Sequence, residues 1–363
     1  MNRCIIVGGG LIGMLTAREL HSAGVNVVVL DSGLLGHESS WAGGGIVSPL
    51  YPWRYPDAVS ELARYSQQAY PELIKELLEQ TGIDPEFCKS GLLVLDHGEQ
   101  QEAAAWCMKW NAELQRLRGR QALQDCEPAL SDIYDQGLLL SEIAQLRNPR
   151  IVKALRESLR RLGIECHEGV KVSSLVVRGQ QIAGVETQTG FLEAERVVIA
   201  AGAWSAGLLK PYGIELEIAP VKGQMILLKG EPGMVRHIIL SEGRYLIPRQ
   251  DGRILAGSTL EHCGFDQKIS KSAREELRQA AITMAPALEK LDIEHHWAGL
   301  RPGTPKGIPY IGSCSGIEGL YVNAGHFRNG VGLGPASARL LTDIMMQRPP
   351  IVDPRAYSIS ASH

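Results

Sequence analysis

Four glycines crowd into six residues, Gly8-Gly9-Gly10-Leu11-Ile12-Gly13, at the seam between two apolar stretches. Arg3 to Val7 is short, β-branched and apolar, and reads as a buried strand. Leu11 to Ala23 reads as a helix with Leu11, Leu15 and Leu20 roughly on one face, and Gly24 stops it. Val25 to Leu30 is a second continuous apolar strand, of the kind a parallel sheet covers on both faces. Strand, glycine turn, helix and strand make a βαβ unit. In that setting the spacing has specific mechanics. Gly8 permits the tight turn, Gly10 lets a pyrophosphate approach the backbone, and Gly13 lets the helix pack closely on the strand. The helix start at Leu11 and Ile12 offers free N–H groups to phosphate. Asp31, followed by Ser32, ends the second strand about 20 residues on, where an acid accepts from ribose hydroxyls and repels a 2′-phosphate.

Composition narrows the remaining classes. The 363 residues suggest about two domains. Lys plus Arg number 37 against 40 Asp plus Glu, a net charge of −3 with no basic run, which argues against a nucleic-acid binder. No apolar stretch of about 18 residues is present to span a membrane. The glycine-bearing stretch Cys4 to Ala17 is not a signal peptide, having no A-x-A site after it. The seven cysteines are far apart and form no C-x-x-C pair, so neither a disulfide framework nor a metal site is expected. A cytoplasmic protein is the expectation.

Further along, 36–57 reads as loop, and 58–80 and 99–118 as helices. Pro149 opens a helix over 150–162. Strands are expected at Val170 to Val177, Ile182 to Thr187 and Arg196 to Ile199. A turn-punctuated set then follows (218–228, 238–240, 244–248, 254–258), suggesting an antiparallel sheet. Ser272 to Ala285 reads as helix. Leu320 to Asn323 and Val331 to Met346 form another strand–glycine–helix junction. The expected fold is α/β, or α+β overall: a Rossmann-like nucleotide-binding domain (1–85, 146–215 and 296–363) with an inserted, mainly antiparallel substrate domain (86–145 and 216–295).

Three more segments carry chemistry. Ser39-Ser40-Trp41-Ala42-Gly43-Gly44-Gly45-Ile46 offers small residues along which a long cofactor can lie, and two hydroxyls for phosphate; a flexible glycine loop is the alternative. Val198-Ile199-Ala200-Ala201-Gly202-Ala203-Trp204 is a buried strand ending in small residues. Near the C-terminus, Asn323-Ala324-Gly325-His326-Phe327-Arg328-Asn329-Gly330-Val331-Gly332 places a second helix N-terminus where charge develops on a reduced flavin. An extended FAD needs that second junction, and an NAD enzyme does not.

These segments, in this order, resemble the D-amino-acid-oxidase-like family of FAD-dependent amine oxidoreductases, and within it the glycine oxidases of thiamine biosynthesis. Pro220-Val221-Lys222-Gly223-Gln224, Tyr245-Leu246-Ile247-Pro248-Arg249, Trp297 to Thr304 and Pro309-Tyr310-Ile311-Gly312 extend the resemblance over most of the chain. It implies that Arg301 clamps a substrate carboxylate, with Tyr245 beside it, Arg328 at the flavin and substrate edge, and Leu260 lining the pocket. Val172 would hold the adenine through its backbone. Gly8, Gly10, Leu11, Ile12, Gly13, Asp31, Ser32, Ser39, Ser40, Gly43, Gly44, Gly45, Ile46, Ala201, Gly202 and Trp204 would line the cofactor site. His326, Phe327, Arg328, Asn329, Gly330, Val331 and Gly332 would complete it. Read from the residues alone, Arg301 has an internal ion pair as its alternative. Tyr245 has a half-buried sheet aromatic, Arg328 a surface or capping role, and His326 a structural role in a tight turn. The segment Ser48 to Arg54 departs from the acidic loop found in relatives. No cysteine lies between Gly299 and Thr304, so FAD is expected to bind non-covalently.

The implied reaction is hydride transfer from a small amino acid (glycine, sarcosine or D-alanine) to flavin, giving glyoxylate, ammonia and hydrogen peroxide with oxygen as partner. A D-amino-acid dehydrogenase passing electrons to a quinone is the alternative. A homotetramer is implied by the resemblance.

Overall fold

The computed structural model describes residues 3–96 and 98–361. Its first sheet has six strands in the order Tyr310–Ser313, Leu320–Ala324, Arg196–Ile199, Arg3–Val7, Asn26–Leu30 and Glu165–His167. All pairings in it are parallel except that of the first two strands. Successive side chains of a strand point to opposite faces. Cys4 and Ile6 therefore enter a core shared with Leu11–Ser22, Asp57–Thr81, Asn148–Arg161 and Gly330–Met345. Ile5 and Val7 point the other way, into a core closed by a three-stranded antiparallel sheet, Val172–Arg178, Gln181–Thr187 and Gly190–Glu193. The parallel sheet is thus covered on both faces, by helices on one and by strands on the other. Each fully buried Leu or Ile in these cores contributes roughly 1.5–3 kcal/mol.

The second large sheet has eight strands: Ile293–Gly303, Ala219–Leu228, Ile254–Gly257, Arg244–Pro248, Ile238–Ser241, Leu92–Val94, Gln136–Leu140 and Gln115–Arg118. It is antiparallel apart from the pairing of Ile238–Ser241 with Leu92–Val94. Three features differ from expectation. The stretch 99–118 is not one helix: Gln100–Trp110 is helical, but Gln115–Arg118 pairs with Gln136–Leu140. Asn111 in the left-handed conformation ends the helix and frees the next residues to join the sheet. The stretch 36–57 holds a short helix, Ser39–Ala42, and a 3₁₀ turn, Pro52–Arg54. The strand Ile293–Gly303 runs straight through the expected boundary at 296, because its ladder with Ala219–Leu228 is unbroken from Leu227↔His295 to Ala219↔Gly303.

Candidate active site

A cavity of about 590 Å³ runs between the two sheets, within the usual range for a ligand site. At one end lies the glycine turn. Gly8 has φ +109°, and a Cβ there would sit 2.4 Å from the Ala200 carbonyl oxygen. Only glycine fits that crossing of two parallel strands. A Cβ on Gly13 would lie 1.9 Å from the Gly8 carbonyl oxygen, so this residue serves helix–strand packing and does not itself line the cavity. The Ser40 hydroxyl accepts from the Leu11 N–H at 2.8 Å, capping the helix from another segment, while its own proton stays available. Asp31 accepts from the N–H groups of Gly9 (2.7 Å) and Gly33 (2.8 Å), which fixes its carboxylate at the cavity wall.

Most of the expected residues meet here. Gly8, Gly10, Leu11, Ile12, Asp31, Ser32, Ser39, Ser40, Gly43, Gly44, Gly45 and Ile46 line this cavity, as do Val172, Ala201, Gly202 and Trp204. So do Tyr245, Arg301, His326, Phe327, Arg328, Gly330 and Val331. Asn329 and Gly332 do not. Asn329 precedes the helix Gly330–Met345, and Gly332 packs that helix on Ser48. Leu260 is a correction: it is 47% exposed and outside the lining. Its neighbour Glu261 pairs backbone-to-backbone with Lys222 and turns its carboxylate onto the Lys222 ammonium, 3.1 Å away, which leaves Leu260 facing out.

The other end of the cavity is built on the eight-stranded sheet. Arg301 donates to the Ser258 hydroxyl at 2.6 Å and to the Thr259 carbonyl at 3.2 Å. Burial pulls its pKa below the ordinary guanidinium value. Tyr245 opposes that shift, and the nearby positive charge of Arg328 adds to it. Among the described residues no carboxylate pairs with Arg301, so the internal ion pair is absent. The guanidinium fits because Gly223, across the strand pair, has no side chain: a Cβ there would lie 2.1 Å from both terminal nitrogens. Gly257 does the same for the Tyr245 ring, with a hypothetical Cβ at 2.7 Å. Gly299 does it for Ala42, at 2.6 Å. Glycine inside a strand marks such close approaches. These three, with the lining residues Met225, Leu50 and Asn148, are contributors that local sequence reasoning missed. The glycines could have been flagged as breaks in otherwise apolar strand patterns.

His326 is buried, with Nε2 3.0 Å from the Ser337 hydroxyl. That hydroxyl spends its proton on the Leu333 carbonyl, so Nε2 carries the imidazole hydrogen. Burial lowers the His326 pKa to about 3, which makes it a neutral structural histidine.

The residues present fit an FAD. Glycine-lined walls run along the cavity, and the Oδ1 atoms of Asn148 and Asn323, both in the lining, are buried without a partner. Orphaned acceptors of this kind call for polar groups from a ligand.

Comparison with known proteins agrees. Residues 3–344 match the DAO family of FAD-dependent oxidoreductases. The chain belongs to this family. A glycine oxidase from Pseudomonas aeruginosa is 48% identical over 98% of both chains. The bifunctional protein ThiO/ThiG of Trichormus variabilis is 30% identical over 95% of this chain and 52% of its own length. The crystal structure of glycine oxidase from Geobacillus kaustophilus superposes with a TM-score of 0.94 at 27% identity, covering all of both chains. This DAO-family chain is therefore an FAD-dependent oxidoreductase. Among its described residues, no helix is long and apolar enough to cross a membrane.

Proposed function

We propose that the chain is an amino-acid oxidase of the glycine oxidase type. It would deaminate glycine, and other small amines such as sarcosine and D-alanine, to glyoxylate (or the corresponding oxo acid), the free amine or ammonia, and hydrogen peroxide. The observation that carries this reading is the pair Arg301 and Arg328, facing one end of the cavity beside Tyr245, with no carboxylate among the described residues paired to the clamp. A partly buried, unpaired guanidinium is costly until an anion arrives, and a bidentate arginine suits a carboxylate. The relatives' glycine oxidase activity and the fused ThiO/ThiG arrangement support a place in the thiazole branch of thiamine synthesis.

FAD, bound non-covalently, supplies the two-electron acceptor. The chain's own residues orient and shield. Arg301, braced by Ser258 and Thr259, fixes the carboxylate, and Tyr245 offers its hydroxyl beside it. Leu50 and Met225 add apolar wall and limit water. Burial makes His326 resist protonation and Ser337 engages its Nε2, so His326 is not the base that takes the amine proton. For glycine the balance is glycine, oxygen and water giving glyoxylate, ammonia and hydrogen peroxide.

The test is a visible spectrum of the purified protein before and after anaerobic addition of glycine. Bleaching of an oxidised-flavin band supports the reading. A band untouched by glycine, sarcosine and D-alanine would overturn the substrate class. Bleaching without peroxide on admission of air would point to the quinone-linked dehydrogenase instead.

A further inference from the structure

Arg249 is buried and makes no ion pair among the described residues. Residues 245, 247 and 249 follow the strand's alternation. Tyr245 lines the cavity, Ile247 packs toward Gly44, and the Arg249 guanidinium passes behind the same wall. It donates to the carbonyl of Gly44 (2.8 Å), the carbonyl of Leu146 (3.0 Å) and Oε1 of Gln145 (2.7 Å). All three acceptors are neutral. The nearby acids are engaged elsewhere: Glu86 with Arg147 (3.2 Å) and Arg150 (3.3 Å), Asp251 with Arg147 (2.8 Å) and Arg253 (2.9 Å).

The wall itself is thin. Leu146 N–H donates to the Gly45 carbonyl at 2.9 Å, and a Cβ on Gly45 would sit 1.9 Å from the Leu146 carbonyl oxygen. The 44–46 segment therefore lies flush on 145–148, with Arg249 bonded to both. One hydrogen bond separates a fixed positive charge from a peptide that lines the cavity. Inside a protein, charge acts over such distances with little screening. The bond also polarises the Gly44–Gly45 peptide and strengthens its N–H as a donor.

We propose that Arg249 is a positioning residue for the cofactor: it fixes the Gly44 to Ile46 wall, and its charge, hydrogen-bonded only to neutral acceptors, stabilises the reduced, anionic form of FAD bound against that wall. This rests on the cavity being the FAD site. The experiment measures the midpoint potential of bound FAD in the wild type and in Arg249→Met, Arg249→Gln and Arg249→Lys. Met and Gln are expected to weaken binding of reduced FAD relative to oxidised FAD by about tenfold or more, a fall of about 30 mV for a two-electron couple. Lys, which keeps the charge, is expected to stay near the wild type. If Met fails to fold, the comparison of Gln with Lys carries the same test. Wild-type potentials in flavin-bearing Met or Gln variants would overturn the proposal. So would a Lys variant that shifts as far as they do, or loss of FAD from every variant including Lys. A wild type that binds no FAD would instead sink the reading of the site.

Discussion

Arg301 reaches the cavity because Gly223 gives way to it, so the clamp can be damaged without touching a polar atom. Gly223→Ala would put a methyl group where the guanidinium now lies. Because the obstructing group is the end of a flexible side chain, Arg301 should move and the sheet should not. The Michaelis constant for glycine is expected to rise at least about tenfold, with FAD retained. Arg301→Lys removes the fork as well, losing charge-assisted bonds of about 1.5–3 kcal/mol, or roughly 10- to 150-fold in that constant. Steady-state kinetics on yellow, folded variants checks both. His326 gives a prediction about stability. Its folded pKa, about 3, lies below its unfolded value. Above about pH 6.5 it is neutral in both states and its contribution is complete. As pH falls from there toward 3, only the unfolded chain takes up the proton, and stability drops by up to about 1.4 kcal/mol per pH unit. His326→Asn should flatten the urea-midpoint profile over that window, and an unchanged slope would refute the assignment.

At the scale of elements, the helix Leu11–Ser22 is held to its strand by absent atoms and to the cavity by a borrowed cap. Gly13→Ala meets backbone, not a flexible tip, so the helix must move. Loss of FAD together with a lowered melting temperature is the expected outcome. Ser40→Ala removes the acceptor of the Leu11 N–H, at a cost of about 1 kcal/mol, and a hydroxyl donor at the cavity wall, weakening FAD binding in a titration while the fold persists. The glycine turn was legible because its whole meaning is local: strand, turn and helix are neighbours in sequence. The strand Gln115–Arg118 was not. Gln-Arg-Leu-Arg carries one apolar residue, too few to distinguish a period of two from a helical one, and its state is decided by Gln136–Leu140 arriving beside it. The same holds for Gly223, Gly257 and Gly299. For Gly223 and Gly257 the role depends on which side chain lies across the ladder, and for Gly299 on the short helix Ser39–Ala42 that packs on it; local patterning encodes neither. Leu260 failed for a related reason, since a backbone bridge to Lys222 sets which way it faces. Tyr245 was singled out through family resemblance, and Arg301 through that resemblance beside a weaker case from its own residues; read alone, a half-buried sheet aromatic and an internally ion-paired arginine remained open as alternatives.

On the scale of the whole molecule, the parallel sheet gathers strands from the beginning of the chain, from its middle and from its end. The strand that crosses residue 296 was not foreseeable from local pattern, because that continuity is a property of the long ladder with Ala219–Leu228. The assembly has a consequence for synthesis. Asp31 and the first glycine turn leave the ribosome early, while Arg301, Arg328 and the helix Gly330–Met345 emerge last. A nascent chain halted anywhere before residue 320 lacks Leu320–Ala324, the strand that flanks Arg196–Ile199, and with it one wall of the cavity. The complete cavity, with both of its ends in place, therefore exists only once nearly all of the chain has been synthesised.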